Sequence, residues 1–212
     1  MAFLKTSLAP ELNPQIRGKG VWLRPPQMPD YSAWAELRAL SREHLTPWEP
    51  QWSRDELTRS AYRRRLRHYQ REQREDLGYA LFMFRTGDDA LLGGLTLSNV
   101  RRGVSQSASL GYWIGQPFGR RGHMTAAVQA VAGFCFEELL LHRIEAACLP
   151  SNAGSIRVLE QNGFSREGLA RRYLKINGGW QDHVLYARII DDAGHHGSVN
   201  QGTGGNRGAP GA

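Results

Sequence analysis

Apolar residues recur along the chain with two periods, and the switch from one to the other sets out its elements. An opening strand is expected at 20–25, GVWLRP. Residues 28–43 carry Trp34, Leu37 and Leu40 on one side and predict a helix. A stiff two-proline loop, HLTPWEPQW at 44–52, leads to Ser53, the expected N-cap of a second helix from about 54 to 74. Two strands follow, LGYALFMF at 77–84 and ALLGGLTLSNV at 90–100, joined by RTGDD, whose Asp and Gly suit a hairpin. The strand SASLGYWIG ends at Gly115. The strongest helical pattern lies at 123–141, where Met124, Ala127, Val128, Val131, Phe134, Cys135 and Leu139 recur three and four apart. HRIEAACL at 142–149 reads as a strand stopped by Pro150, and a short helix from about 153 closes at Asn162-Gly163. The last strands, about 164–176 and 180–190, flank Asn177-Gly178-Gly179. The class is therefore α+β, with a strand–helix–strand crossover at 107–149.

Composition bounds the organisation. The 212 residues fit one domain of 19–190, preceded by a Pro-broken extension at 1–18. The Gly-rich tail at 191–212 has too little apolar content to offset the entropy of ordering and is expected to be flexible, its His195-His196 pair solvated rather than metal-bound. The 27 basic residues, only three of them lysines, against 20 acidic ones give a net charge of +7 and an attraction for anions. The second helix carries Arg59, Arg63, Arg64, Arg65, Arg67, Arg71 and Arg74 and has two readings: a solvated face, or a basic surface for ribosomal RNA or an acidic partner through Arg63, Arg64 and Arg67. Two cysteines, Cys135 and Cys148, rule out a disulfide scaffold and a four-cysteine zinc site. They read as buried thiols of a reducing, cytoplasmic compartment. No uncharged apolar run approaches the ~18 residues of a membrane span, and the first residues carry no secretory-signal pattern.

The segment GYWIGQPFGRRGHMTAA holds the chemistry. A strand ends, a loop with Gly115, Gly119 and Gly122 follows, and a helix begins. The first N–H groups of that helix lack internal partners and face the loop, and Arg120 and Arg121 add charge. On residue types this is either a diphosphate cradle or an ordinary strand-to-helix turn. The P-loop and dinucleotide glycine patterns are both absent.

The segment resembles the acyl-CoA-binding signature of the GNAT N-acetyltransferases, Gln/Arg-x-x-Gly-x-Gly/Ala, in the register Gly119-Arg120-Arg121-Gly122-His123-Met124. Gly119 stands in the Gln/Arg place and Met124 in that of the small residue. HLTPWEP, LSNVRRG, LGYWIGQ, HRIEA, LPSNAGSIRVLEQNGFSREG and NGGWQDHVLYA occur in the matching order, and together they resemble the ribosomal-protein-alanine N-acetyltransferases over about 20–190. The resemblance implies a mostly antiparallel, seven-stranded sheet with about four helices, splayed between two parallel central strands that end near Gly115 and Leu149. It implies acetyl-CoA as cofactor, without a metal. The pantetheine arm would lie along the exposed edge of the first parallel strand, at Trp113 and Ile114, with amides from Gly119 through Met124 and Thr125 on the pyrophosphate, and Asn152 and Ser155 nearby. Arg120 and Arg121 either neutralise phosphates or are solvated.

Acetyl transfer to an amine needs a neutral nucleophile and a proton for the leaving sulfur. The place where many such enzymes carry a tyrosine acid holds Leu159, and no tyrosine lies between Tyr112 and Tyr173. Ser155 is the expected replacement, with Asn152 on the pantetheine or a water; both are also N-cap types. Base candidates are Glu49, in the two-proline loop, and Asp182 with His183, which alternate and so face opposite sides of a strand. An α-amine, with pKa about 7.7–8.0, needs far less help than a lysine at about 10.4. The leading reading is N-terminal acetylation of a protein, a ribosomal one, by a monomer or weak homodimer. The others are acetylation of a small amine and a non-catalytic RNA-binding assembly factor.

Overall fold

A computed structural model describes residues 13–192, so the expectations for 1–12 and for the tail from 193, with His195 and His196, lie outside the described residues. Eight strands form one sheet: β1 (Ile16–Gly18), β2 (Val21–Arg24), β3 (Tyr79–Arg85), β4 (Leu91–Arg101), β5 (Ser107–Ile114), β6 (Arg143–Cys148), β7 (Ser165–Ile176) and β8 (Gly179–Ile189). Their order is β1-β2-β3-β4-β5-β6-β8-β7. The strand beyond the expected seven is β1, three residues within the stretch read as an extension, paired with β2 from Ile16 opposite Leu23 to Gly18 opposite Val21. A segment that short has no periodicity to reveal it.

The helices are α1 (Tyr31–Leu40), α2 (Arg42–Leu45), α3 (Arg59–Arg74), α4 (His123–Gly133) and α5 (Ala153–Gln161). The single helix expected at 28–43 breaks at Ser41, whose buried hydroxyl accepts the N–H of Gln116 at 2.9 Å. Helix α3 starts later than expected because Ser53 donates its hydroxyl to Asp55 (2.9 Å) instead of capping, and Thr58 takes the N-cap, accepting from Ala61 N–H at 3.2 Å. Asp55 and Glu56 instead pair with Arg64 and Arg65 of that helix. The expected helix at 123–141 is α-helical only to Gly133. Residues Phe134–Glu138 form a π turn, closed by Leu139 N–H on the Phe134 carbonyl at 3.0 Å. The wider turn lets Phe134, Cys135 and Phe136 all be buried in succession.

Both sheet faces are covered, which is why β3, YALFMFR, reads as continuous apolar sequence rather than an alternation. Tyr79, Leu81 and Met83 join one core with Val128 and Val131 of α4; Phe82 and Phe84 join the other with Trp34, Tyr62 and Leu66 of α1 and α3. Cys135 and Cys148 are both free and buried, and burial alone pushes the Cys135 thiol up to about 12. No helix among the described residues is long and apolar enough to cross a membrane.

The functional feature of the sheet is its one parallel pair. Strands β5 and β6 pair only where Ser107, Ala108 and Ser109 face Arg143, Ile144 and Glu145. Beyond that point β5 stays with β4, as far as Ile114 opposite Gly93, and β6 stays with β8, as far as Cys148 opposite Val184. The sheet therefore splits towards the carboxyl ends of two adjacent parallel strands, with α4 and α5 beginning at the opening.

Candidate active site

The split opens into a cleft of about 950 Å³. One rim is made of main chain. The polypeptide leaves β5 through a turn at Gln116–Phe118 and reaches Gly122, the N-cap of α4, at φ +78°. Only glycine adopts that left-handed conformation without a steric cost. The first helical bond runs from Ala126 N–H to the Gly122 carbonyl at 3.0 Å. The N–H groups of His123, Met124 and Thr125 thus have no helical acceptor, and they stand at the positive end of an eleven-residue helix. Residues Gly119 through Thr125 all line the cleft. An added Cβ at Gly119 would meet only the Gln116 carbonyl, at 3.6 Å, so nothing crowds that position.

The side chains on this rim do different things. Arg120 and Arg121 are exposed, whereas Met124 is buried in the core, leaving only its amide for the cleft. The Thr125 hydroxyl donates to Gln161 of α5 at 3.3 Å. Burial, then Arg85, then Arg121 hold the His123 imidazole below its ordinary pKa. Trp113 and Ile114 border the cleft on the β5 edge that faces away from β4. Strand β4 approaches so closely here that a Cβ on Gly93 would sit 2.2 Å from the Trp113 carbonyl. A row of free strand amides, continued by helix amides, fits the amide-rich pantetheine and the diphosphate of a coenzyme A.

Across the split, Asn152 caps α5: its Oδ1 accepts the Ser155 N–H at 3.0 Å. Both residues line the cleft. Ser155 also meets a residue that sequence reasoning passed over. The Tyr112 hydroxyl lies 2.9 Å from Ser155 Oγ and donates to the Ser155 carbonyl at 3.2 Å. Burial pushes Tyr112 well above its ordinary pKa. A signal existed: strand alternation puts Tyr112 with Leu110 and Ile114 on the α4 side, and an enclosed phenol needs a polar partner. The Cys148 thiol is also raised by burial, with Ser155 opposing the shift.

The second rim is made of side chains. Glu49 borders the cleft, but Arg38 grips both its oxygens at 2.7 and 2.8 Å, and Trp52 Nε1 donates to Oε2 at 2.8 Å. Arg38 is itself buried, its guanidinium 4.3 Å from the Trp52 ring and 4.9 Å from that of Trp113. The carboxylate named as a base candidate is thus already in an ion pair. Asp182 is not in the cleft: its Oδ1 accepts the Arg172 N–H at 2.8 Å, closing a bulge in β7 where Arg172 has φ +47°. His183, on the opposite side of the strand, does line the cleft and is buried. Its Nδ1 lies 3.0 Å from the Gln181 carbonyl, which can only accept, so Nδ1 is the donor, and in the neutral ring Nε2 is then the acceptor. The α3 arginines are mixed: Arg63 and Arg67 are exposed, while Arg64 is in an ion pair with Asp55.

Comparison with known proteins gives a consistent picture. An acetyltransferase (GNAT) domain matches residues 21–165. The chain is 37% identical over 177 residues to "Probable N-acetyltransferase YjcK" of Bacillus subtilis strain 168, across 84% of this chain and 98% of that protein. It is 33% identical over 165 residues to the ribosomal protein uS5-alanine N-acetyltransferase of Escherichia coli strain K12, across 77% of this chain and 85% of that one. Among solved structures it is similar to Mycobacterium smegmatis RimJ in complex with CoA-disulfide, with TM-score 0.78, 34% identity, and coverage of 84% of this chain and 87% of that. The domain match runs from β2 to the first residue of β7 and takes in both sides of the split sheet, so the chain belongs to the GNAT acetyltransferase family.

Proposed function

We propose that the protein is an acetyl-CoA-dependent Nα-acetyltransferase that acetylates the N-terminal amine of a protein, a ribosomal one, in the cytoplasm. Acetyl-CoA supplies an activated acetyl thioester, whose C–S bond breaks as the amide C–N bond forms. The chain's own residues bind and orient. The amides of His123, Met124 and Thr125 take the diphosphate, the edge of β5 at Trp113 and Ile114 takes the pantetheine, and Ser155 supplies a hydroxyl for the sulfur. Asn152 fixes the turn that carries Ser155.

The observation that favours a polypeptide acceptor is the form of the side-chain rim. A shallower depression of about 390 Å³ adjoins the cleft, sharing Trp48 and Leu149 with it and reaching Ile176, Asn177 and Gln181 at the β7–β8 turn. That turn is tied to the Glu49 loop by Asn177 N–H on the Glu49 carbonyl at 2.9 Å. A peptide leaving the cleft has a path there, which a small amine does not need. The state of Glu49 points the same way. With its charge matched by Arg38, the rim offers His183 Nε2 as proton acceptor and no free carboxylate from Glu49. An α-amine is neutral in roughly a tenth of molecules at pH 7, and a lysine amine in under a thousandth. The exposed Arg63 and Arg67 would serve any contact with ribosomal RNA, and Arg64 less, since Asp55 holds it.

The test is turnover of acetyl-CoA on peptides beginning with Ala or Ser, followed by release of free CoA and by mass spectrometry of the product. Acetyl on the α-nitrogen is the expected result. Turnover confined to aminoglycosides or polyamines, with none on any peptide, would replace this reading with the small-amine one.

A further inference from the structure

The contact between Tyr112 and Ser155 joins the two sides of the split: the tyrosine comes from β5 and the serine from the first turn of α5. It is also a contact with two hydrogen-bonding states. The phenol has one proton and two neighbours, Ser155 Oγ at 2.9 Å and the Ser155 carbonyl at 3.2 Å. When the phenol proton points at the carbonyl, the short Oη–Oγ contact is satisfied only by the serine proton, which is then directed at the tyrosine. When the phenol proton turns to Oγ, the serine proton is released for a third partner. Rotation of two hydroxyls exchanges these states, and no heavy atom moves.

We propose that Tyr112 is the positioning residue for Ser155, turning the serine hydroxyl from the phenol towards the thioester sulfur. This rests on the reading of the cleft given above. With the phenol donating to Oγ, one serine lone pair remains for an N–H of the attacking amine, and the serine O–H is free for the sulfur. A neutral amine then adds to the acetyl carbon. One N–H proton passes to Oγ as the Oγ proton passes to sulfur, the C–S bond breaks, and the amide and a free thiol remain. Tyr112 keeps its proton throughout. Burial makes the phenolate costly, so the phenol stays a donor across the working pH range and is not the proton source.

A double-mutant cycle tests this. Ser155→Ala should lower kcat roughly 100-fold, in the range of a lost general acid–base group. Tyr112→Phe keeps the ring and should lower kcat about threefold to tenfold, as one hydrogen bond is worth, with KM for acetyl-CoA unchanged. The double variant should match Ser155→Ala within about twofold, because Tyr112 acts only through that hydroxyl. A second readout needs no turnover: the ionisation of bound CoA, followed by the ultraviolet absorbance of its thiolate. A hydroxyl donating to sulfur stabilises the thiolate, so Ser155→Ala should raise the bound thiol's pKa. Tyr112→Phe should raise it less, and in the Ser155→Ala background not at all. Thermal unfolding of each variant confirms that it is folded. If Ser155→Ala is impaired and Tyr112→Phe is not, or if the two losses multiply, the positioning role is overturned and the reading of the cleft stands. If Ser155→Ala keeps full activity, the assignment of Ser155 falls, and the inference with it.

Discussion

The two rims of the cleft are built from different material. On the rim proposed for the cofactor, amides from the β5 edge and from the first turn of α4 border the gap, while Arg120 and Arg121 are exposed and Met124 is turned into the core. On the rim proposed for the acceptor, the surface depends on a buried arginine, its guanidinium set against two indoles, that holds a carboxylate. A site made of backbone tolerates varied side chains, provided the chain follows one path. Here that is seen in Gly119 and Met124, which depart from the family signature without obstructing the loop. A site made of side chains fails when one partner is removed. Each rim should therefore break in its own way.

The largest effect is expected on the acceptor side. Arg38→Ala would leave the Glu49 carboxylate without its cation in a largely enclosed place. Removing one partner of such a pair costs about 3 kcal/mol or more, equivalent to roughly 10 °C in Tm for a chain of this size. Calorimetric unfolding measures it. CoA affinity of the folded variant, measured below its Tm, should match the parent protein. A joint loss of stability and CoA binding would show that the rims are not independent, and the Arg38 guanidinium against the Trp113 ring and the link from Ser41 Oγ to the Gln116 amide are where they would be coupled.

On the cofactor side, the backbone path is the vulnerable element. Gly122→Val forces a branched side chain into φ +78°, at a strain of about 1–3 kcal/mol. It should weaken acetyl-CoA binding by about tenfold or more. Arg120→Ala and Arg121→Ala remove exposed charges, and should cost only a few-fold each, in a manner that fades with added salt. Isothermal titration at low and high salt separates the two behaviours. If the arginine variants lose more than Gly122→Val, the rim depends on side chains after all.

The same contrast governs what the sequence revealed. The main-chain rim is local: the end of a strand, three glycines and the start of a helix lie within a dozen residues, so the order of residue types narrowed it to a diphosphate cradle or an ordinary turn, and the resemblance to the family signature favoured the cradle. The acceptor rim and the Tyr112–Ser155 pair are long-range. Arg38 and Glu49 are 11 apart, and Tyr112 and Ser155 are 43 apart. Nothing in a run of residues says that such groups meet. Glu49 was legible as a polar group on a stiff loop but not as one already paired, and Asp182 was legible as a carboxylate in the last strand but not as the cap of a bulge. The fold was more readable than the site because periods of two and 3.6 are repeated over many residues. It was least readable where they are interrupted, at the three residues of β1, the Ser41 break and the π turn after Gly133.

The smallest effect expected is a pH dependence of CoA affinity carried by His123. In the free protein, burial, Arg85 and Arg121 together keep this imidazole below its ordinary pKa, favouring the neutral form. For folding, the sign follows directly. The unfolded chain binds the proton more readily, so the contribution is present above the unfolded value near 6.5 and is lost as pH falls through the folded one. Ligand binding reverses the local field. A diphosphate at the N-terminus of α4 sets negative charge beside the imidazole and raises its pKa, so binding takes up a proton. Affinity should be highest below the free-state pKa and should fall, by about threefold, as pH rises through the bound-state value, the modest size reflecting screening at a partly exposed site. CoA's own phosphomonoester titrates near pH 6 and contributes to any raw profile. The measurement is therefore a difference: titration calorimetry in buffers of unlike ionisation heat, comparing the parent protein with His123→Asn. Proton uptake by the parent in excess of the variant is the expected result. Identical uptake in the two would mean that the diphosphate lies too far from His123 to act on it, and would move the cradle away from the first turn of α4.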